Sequence, residues 1–345
     1  MSSAGKKAKK PVAWLPGVII SVLFIVSFII FIDWREFAAA VQAIQPLVIV
    51  WTVVLTIIPL CTRSLAWRFL LNREVTFKDA FFGENIGYMA NNFLPFRLGE
   101  IARAVLLSDK VKGGFAAVLP SIFLERLIDL GFAAVTLLIA IPFVVSESWM
   151  LPSVLVSVGI VGVGVLFLTL SLRKADLLQS WIKKLFLRMP AIQETVLRLF
   201  HQFIAGLKAA AQGKNAIWAI LFLALTWISY WVSYYVLIVS VAPQAKFIWA
   251  LFTDGVVSLG IAIPSAPGSL GVWEASFVAA LAVFGIEESK SLAVGIILHL
   301  VSYAVTGIFG IIGFAVFGSS LSNLLHRVKI QRQQSTESGN TSGGD

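Results

Sequence analysis

Charge is scarce in this chain. Only 13% of its 345 residues are Asp, Glu, Lys or Arg, while 58% are hydrophobic, against about a quarter charged in an ordinary soluble domain. That balance excludes a soluble globular protein and points to a polytopic membrane protein. Cysteine is almost missing too. Cys61 stands alone, so no intramolecular disulfide forms. There is no zinc-ligand spacing, no P-loop and no Ser–His–Asp arrangement. No polar stretch is long enough for a separate ATP- or tRNA-binding domain. The longest, from about Arg173 to Asn215, is roughly 40 residues, near the lower limit of an independent core. No cofactor and no metal are expected.

What the chain has in abundance is apolar sequence. Runs at 12–32, 46–71, 115–143, 152–172, 216–241 and 291–317 each reach the roughly 20 residues that cross about 30 Å of hydrocarbon. The first follows Lys6, Lys7, Lys9 and Lys10 and is longer than the apolar region of a signal peptide, so it is read as a retained span. Four further pieces, at about 80–94, 101–108, 249–263 and 269–285, are too short to cross. They pair into two re-entrant helical hairpins, a form that survives at membrane depth only inside protein or beside water. The expected fold is all-α and polytopic, with about six full spans and two re-entrant hairpins.

Cations orient the chain. The net charge is +9, and the cations sit beside spans, so anionic lipid headgroups rather than nucleic acid are the expected neighbours. Four lysines precede the first span, eight Lys or Arg fall within 173–214, and Arg327, Lys329 and Arg332 follow the last span. The positive-inside rule then puts both termini in the cytoplasm. Residues 1–11 form a basic N-terminus, 12–325 a single integral membrane domain, and 326–345 a disordered cytoplasmic tail. The segment 175–212 carries apolar residues at helical spacing among lysines, with Pro190 between two stretches, as in an amphipathic pair on the inner leaflet. A soluble cytoplasmic helical hairpin is the alternative.

Two segments break an apolar run in the same way. The first is Asn91-Asn92-Phe93-Leu94-Pro95-Phe96-Arg97-Leu98-Gly99-Glu100, and the second runs from Ile263 through Pro264, Pro267, Gly268 and Gly271 to Glu274. Glu100 and Glu274 are 174 positions apart (274 − 100). With the orientation above, units 46–143 and 216–317 have opposite topology, the pattern of an inverted repeat with its site at two broken helices. Helix ends after Gly99 and Gly268 would present free N–H groups to an anion, with Pro95, Pro267 and Gly271 shaping the loops.

Ionisable residues inside spans are costly and need a reason. Glu125 and Asp129 share a helix face at a spacing of four, Arg126 reaches Asp129, and Arg97, Glu100 and Arg103 are available partners. Two readings stand: a polar cavity that admits a charged headgroup, or a salt-bridge lock that fixes the hairpin against span 115–143. In the second unit Asp254, Glu274 and His299 are the polar intramembrane residues, with a place at the outer interface as the alternative for Asp254. Glu100, Glu274 and His299 are candidates for proton coupling. Gly307, Gly310 and Gly313 suit close helix packing.

The ordered set Asn91 to Glu100, Arg103, Glu125-Arg126-Leu127-Ile128-Asp129 and Pro267-Gly268-Ser269-Leu270-Gly271-Val272-Trp273-Glu274 resembles the transmembrane region of lysylphosphatidylglycerol synthases. It is also similar to the stand-alone flippase-like (UPF0104-type) inner-membrane proteins of that family. The resemblance covers about 12–325 and implies movement of a phospholipid or lipid-linked headgroup between leaflets of the bacterial inner membrane. The chain stops at Asp345 without the soluble aminoacyl-transferase domain, so the resemblance implies lipid handling without lysyl transfer and no enzymatic step. The expected translocation residues are Arg97, Glu100, Arg103, Glu125, Arg126, Asp129 and Glu274. Rival readings are a membrane-embedded lipid-modifying transferase and a scaffold of a lipid-synthesis complex. The expected partners are a membrane lipid substrate, anionic inner-leaflet lipids, and a lipid-synthesis enzyme or a second copy of the chain.

Overall fold

A computed structural model describes residues 15–94, 97–144, 173–187, 189–211, 213–261 and 265–341, with scattered positions between 152 and 170. The described residues are helical throughout, with no strand. In chain order the α-helices are α1 (Leu15–Phe31), α2 (Trp34–Ala43), α3 (Pro46–Leu70), α4 (Phe77–Phe93), α5 (Leu98–Leu107), α6 (Phe115–Val144), α7 (Ala175–Leu185), α8 (Pro190–Ala211), α9 (Gly213–Val241), α10 (Phe247–Gly260), α11 (Val272–Ala282) and α12 (Glu288–Thr341). Single 3-10 turns lie at Ser108–Lys110 and Pro267–Ser269.

Four helices are long and apolar enough to cross a bilayer: α3, α6, α9 and the Glu288–Gly318 part of α12. The first apolar run gives a helix of 17 residues, about 25 Å at 1.5 Å per residue. The expected span 152–172 and the basic N-terminus 1–11 lie largely or wholly outside the described residues. Two features differ from the sequence reading. The connection after α1 is itself a helix, α2, because Asp33 accepts the N–H groups of Arg35 and Glu36 and caps it. And α12 runs on to Thr341 where a disordered tail from 326 was expected. Each residue added to an existing helix gains a hydrogen bond without a new nucleus, and Leu324, Leu325 and the Gln331–Gln334 stretch offer no breaker.

The short apolar pieces fold as two helical hairpins. Gly83 of α4 faces Leu107 of α5, and Gly87 faces Gly99 and Arg103, so the two helices run antiparallel. A Cβ on Gly99 would collide with the Gly87 carbonyl, which is why the backbones meet only through glycine. In the second hairpin Gly260 of α10 faces Ser276 of α11, and Phe252 meets Phe284 edge-on at 5.6 Å.

The hairpins exchange partners. Helix α4 packs on the last span, α12, where Gly310 and Gly313 take Met89 and Ile86. Gly307 of the same series has no neighbour within 4 Å among the described residues. Helix α10 packs on α6, with Gly255 against Leu137. Between these pairs α3 lies antiparallel against α9: Phe69 stacks on Trp218 at 6.1 Å, and the hydroxyls of Thr62 and Thr226 share a 2.7 Å hydrogen bond. One core gathers around Trp67, Leu107, Leu124 and Phe317, a second around Leu237, Phe277, Leu281 and Val294. Helices α7 and α8 form the expected pair broken at Pro190. Trp181 and Leu185 on α7 stay exposed, whereas Leu207 on α8 is buried and Phe203 meets Phe123 of α6 at 6.0 Å.

Candidate functional site

Four helices bring an ionic lattice together. Arg63 comes from α3, Glu84 from α4, Glu100 and Arg103 from α5, and Glu125, Arg126 and Asp129 from α6. Glu125 is at the centre and fully buried. It accepts from Arg63 Nε at 2.9 Å and Arg126 Nη2 at 2.7 Å, with Arg103 Nη2 at 3.2 Å. Asp129 pairs with Arg63 and, at 3.3 Å, with Arg126. Glu84 lies 3.3 Å from Arg103 and 3.5 Å from Arg63, and accepts from the Ser64 and Tyr88 hydroxyls. Glu100 lies 3.3 Å from Arg126. The Arg103 guanidinium also sits 4.6 Å from the Trp67 ring, a cation–π contact that helps where water is excluded. Removing one member of such a lattice strands the others, which costs about 3–5 kcal/mol.

Arg97 stands apart. It occupies the left-handed backbone region (φ 53°, ψ 39°) at the N-cap of α5, a conformation that a non-glycine residue holds only when its surroundings enforce it. Its Nη2 donates to the Ile261 carbonyl at 2.9 Å and so ties the tip of the first hairpin to the end of α10. Asn91 Oδ1 accepts the Gly99 N–H at 2.8 Å, and Asn92 Nδ2 donates to Thr306 Oγ1 at 3.3 Å. In the second hairpin, Gly268 has φ 67° and its carbonyl accepts from Tyr303 Oη at 2.7 Å. Glu274 accepts the Gly271 N–H at 2.7 Å and pairs with His299 Nδ1. The His299 ring stacks on Trp273 at 4.7 Å and meets Tyr303 at 4.4 Å.

Both hairpins open onto one cavity of about 740 Å³. Of the residues singled out from the sequence, Arg97, Glu100, Arg126, Asp129, Pro267, Gly268 and His299 line it. Arg103 and Glu125 lie behind that wall in the lattice, and Glu274 lies behind His299. Pro95 falls outside the described residues. The helix-end anion site is corrected on one point. Helix α5 begins at Leu98, before Gly99, and α11 at Val272, four residues past Gly268, and the Gly99 and Gly271 N–H groups are already taken by Asn91 and Glu274. Asp254, for which an outer-interface place was the alternative to an intramembrane one, is buried and lines the cavity.

Sequence reasoning passed over Arg63, Glu84, Tyr88, Trp227 and Tyr230. Arg63, Tyr88, Trp227 and Tyr230 line the cavity, Trp227 Nε1 donates to Asp129 at 3.2 Å, and Glu84 holds Arg103. Arg63 and Glu84 carried a signal, since each is an ionisable residue within an apolar run. The aromatic residues carried none, because Trp and Tyr are common in membrane helices.

A family model described as the lysylphosphatidylglycerol synthase TM region matches residues 17–310. The chain belongs to that family. Among relatives, a UPF0104 membrane protein of Methanocaldococcus jannaschii is 27% identical over 66% of this chain and 93% of its own length. Two UPF0104 membrane proteins of Methanothermobacter thermautotrophicus are 22% identical over 89% of this chain and 96% of the relative, and 25% identical over 88% and 92%. No solved structure matches. The matched region contains the lattice, both hairpin tips and the whole cavity wall, so the site lies within the family's membrane region.

Proposed function

We propose that the chain is a lipid translocator of the inner, plasma membrane, with both termini cytoplasmic, and that a phospholipid or lipid-linked headgroup crosses through the cavity between the two hairpins. The observation that carries this reading is that one cavity of about 740 Å³ takes its wall from both hairpins at once, with Arg97 from one and Gly268 from the other. A headgroup needs a polar chamber in the bilayer, and this one has paired charge on one side and Asp254, hydroxyls and rings on the other.

Internal symmetry supports it. A shift of 174 positions carries Leu98 onto Val272 and Phe115 onto Ser289, the start of α5 onto the start of α11 and the start of α6 onto the second residue of α12. The exchange of α4 onto α12 and α10 onto α6 is what a pseudo-two-fold between opposed units gives. Re-entrant hairpins entering from opposite faces would then alternate access by rocking one unit against the other. Glu100, Glu274 and His299 are the groups through which protons would couple. The chain acts as a carrier, with no bond made or broken in the lipid. The family's name points to a phospholipid setting, which suits the guanidinium of Arg97 as a phosphate partner.

Fluorescent phospholipid in proteoliposomes tests the proposal through the rate at which inner-leaflet label becomes open to an external quencher. The protein is expected to raise this rate over empty vesicles, and Arg97→Ala to lower it by about tenfold, the loss of one charge-assisted contact. A rate equal to that of empty vesicles would overturn it.

A further inference from the structure

The cavity contains one acid with no cation to answer it. Asp254 on α10 is 4% exposed, lines the cavity, and has an Oδ2 without a hydrogen-bond partner. No described cation pairs with it. Ser233 on α9 lines the same space, is also buried, and has an equally unpartnered Oγ. Every other cavity-lining carboxylate is matched to arginine: Glu100 to Arg126, and Asp129 to Arg63 and Arg126. A buried carboxyl in this state is costly to ionise until a ligand of opposite sign arrives with a donor for the free Oδ2.

The surroundings narrow the class of ligand. Trp227, Tyr230, Tyr234 and Trp273 line the same cavity, and aromatic faces attract organic ammonium groups. A bare metal ion would instead require several more oxygens. Elsewhere in the cavity Arg97 is held by a backbone carbonyl rather than by a carboxylate, so donors remain for an anion. One chamber thus has a cation-seeking corner and an anion-seeking one.

We propose that Asp254, with Ser233 and the rings of Tyr230 and Tyr234, forms a subsite for the ammonium group of an amine-bearing phospholipid, whose phosphate lies toward Arg97. The assignment rests on the cavity admitting a headgroup, but not on that headgroup being carried across. Native mass spectrometry of the full chain in detergent, offered equal amounts of phosphatidylethanolamine and phosphatidylglycerol with the same acyl chains, tests it. The amine-bearing lipid is expected to be favoured by about tenfold, one charge-assisted hydrogen bond. Asp254→Asn should bring the ratio close to one, and Asp254→Glu should keep part of the preference.

A ratio near one in the unaltered protein would overturn the proposal without reliance on any variant. So would a full preference retained in Asp254→Asn. If methylammonium chloride binds in an Asp254-dependent way while the two lipids bind equally, the corner serves a small soluble cation and the headgroup assignment fails. A clear lipid preference together with no lipid movement in vesicles would support the subsite and sink the translocation reading instead.

Discussion

Arg63 shows what a single residue does in this fold. Its guanidinium touches Glu84, Glu125 and Asp129, from two helices other than its own. Arg63→Met would leave those carboxylates short of charge in a place without water, at a cost of about 3–5 kcal/mol. Thermal unfolding in detergent is expected to show that loss, and Arg63→Met combined with Asp129→Leu should recover part of it, since a double removal strands fewer charges. Tyr303→Phe deletes one hydrogen bond to the Gly268 carbonyl and should cost only about 1 kcal/mol. Gly268→Ala should cost more in the same assay, because it forces a side chain to φ 67° and into the Tyr303 hydroxyl. Equal losses in the two variants would remove the steric argument. At this scale the sequence was readable where charges cluster. Glu125, Arg126 and Asp129 stand within one helical turn and draw attention. Arg63 shares a long apolar run only with Arg68 near its end, so its charge is averaged away, and Glu84 follows Phe81-Phe82-Gly83 near a helix start already marked by Lys78 and Asp79.

At the scale of elements, the two hairpins were visible as short apolar pieces around Pro and Gly. Their tips were harder to read. Whether a helix-end N–H is free depends on which side chain folds back to it, and Asn91 does so from eight residues away. Glu274 is different: Gly271 with Glu at the third following position is a local capping spacing, legible in the sequence although Glu274 was read as a site residue. The outer end of the first hairpin is held by Asp79 and Lys110, outside the four spanning helices. Burial pushes the Asp79 carboxyl up, but hydrogen bonds from Lys110 and Thr76 and the Lys110 charge outweigh it and hold it below its ordinary value. A depressed folded value means that this contribution is complete above the unfolded value of about 3.9 and fades as pH falls through the folded one. Amide exchange at the start of α4 should therefore quicken below about pH 4, relative to the rest of the helix. Asp79→Asn should show fast exchange at neutral pH and no further rise. Gly99→Val is expected to separate α4 from α5 and to abolish a disulfide engineered between their outer ends, while α10 and α11 stay paired.

For the whole molecule, the decisive matter is the direction of the two units. Helices α3 and α9 lie antiparallel, and each hairpin leans on the closing span of the other unit, so neither unit buries its core alone. If the units are a repeat, exchange of this kind would account for its poor legibility in residue identity: the 174-position shift matches the starts of α5 and α6 to those of α11 and α12 within one residue, but not those of α3 and α4 to α9 and α10, and the residues it superposes pack against different neighbours. If the units are opposed, the turn before α6 and the turn before α12 face different compartments. Lys112 and Glu287 mark those turns, and both are exposed. In a background with Cys61 replaced by serine, Lys112→Cys should react with a membrane-impermeant maleimide only from the cytoplasmic side, and Glu287→Cys only from the other. Labelling right-side-out and inverted vesicles in parallel checks this without any assumption about activity. Both cysteines reacting from one side would make the units parallel, and a rocking motion about an in-plane axis would then have no structural basis. Labelling from opposite sides would place one hairpin tip on the path from each face, which is the arrangement that lets a headgroup enter the shared cavity from one leaflet and leave to the other.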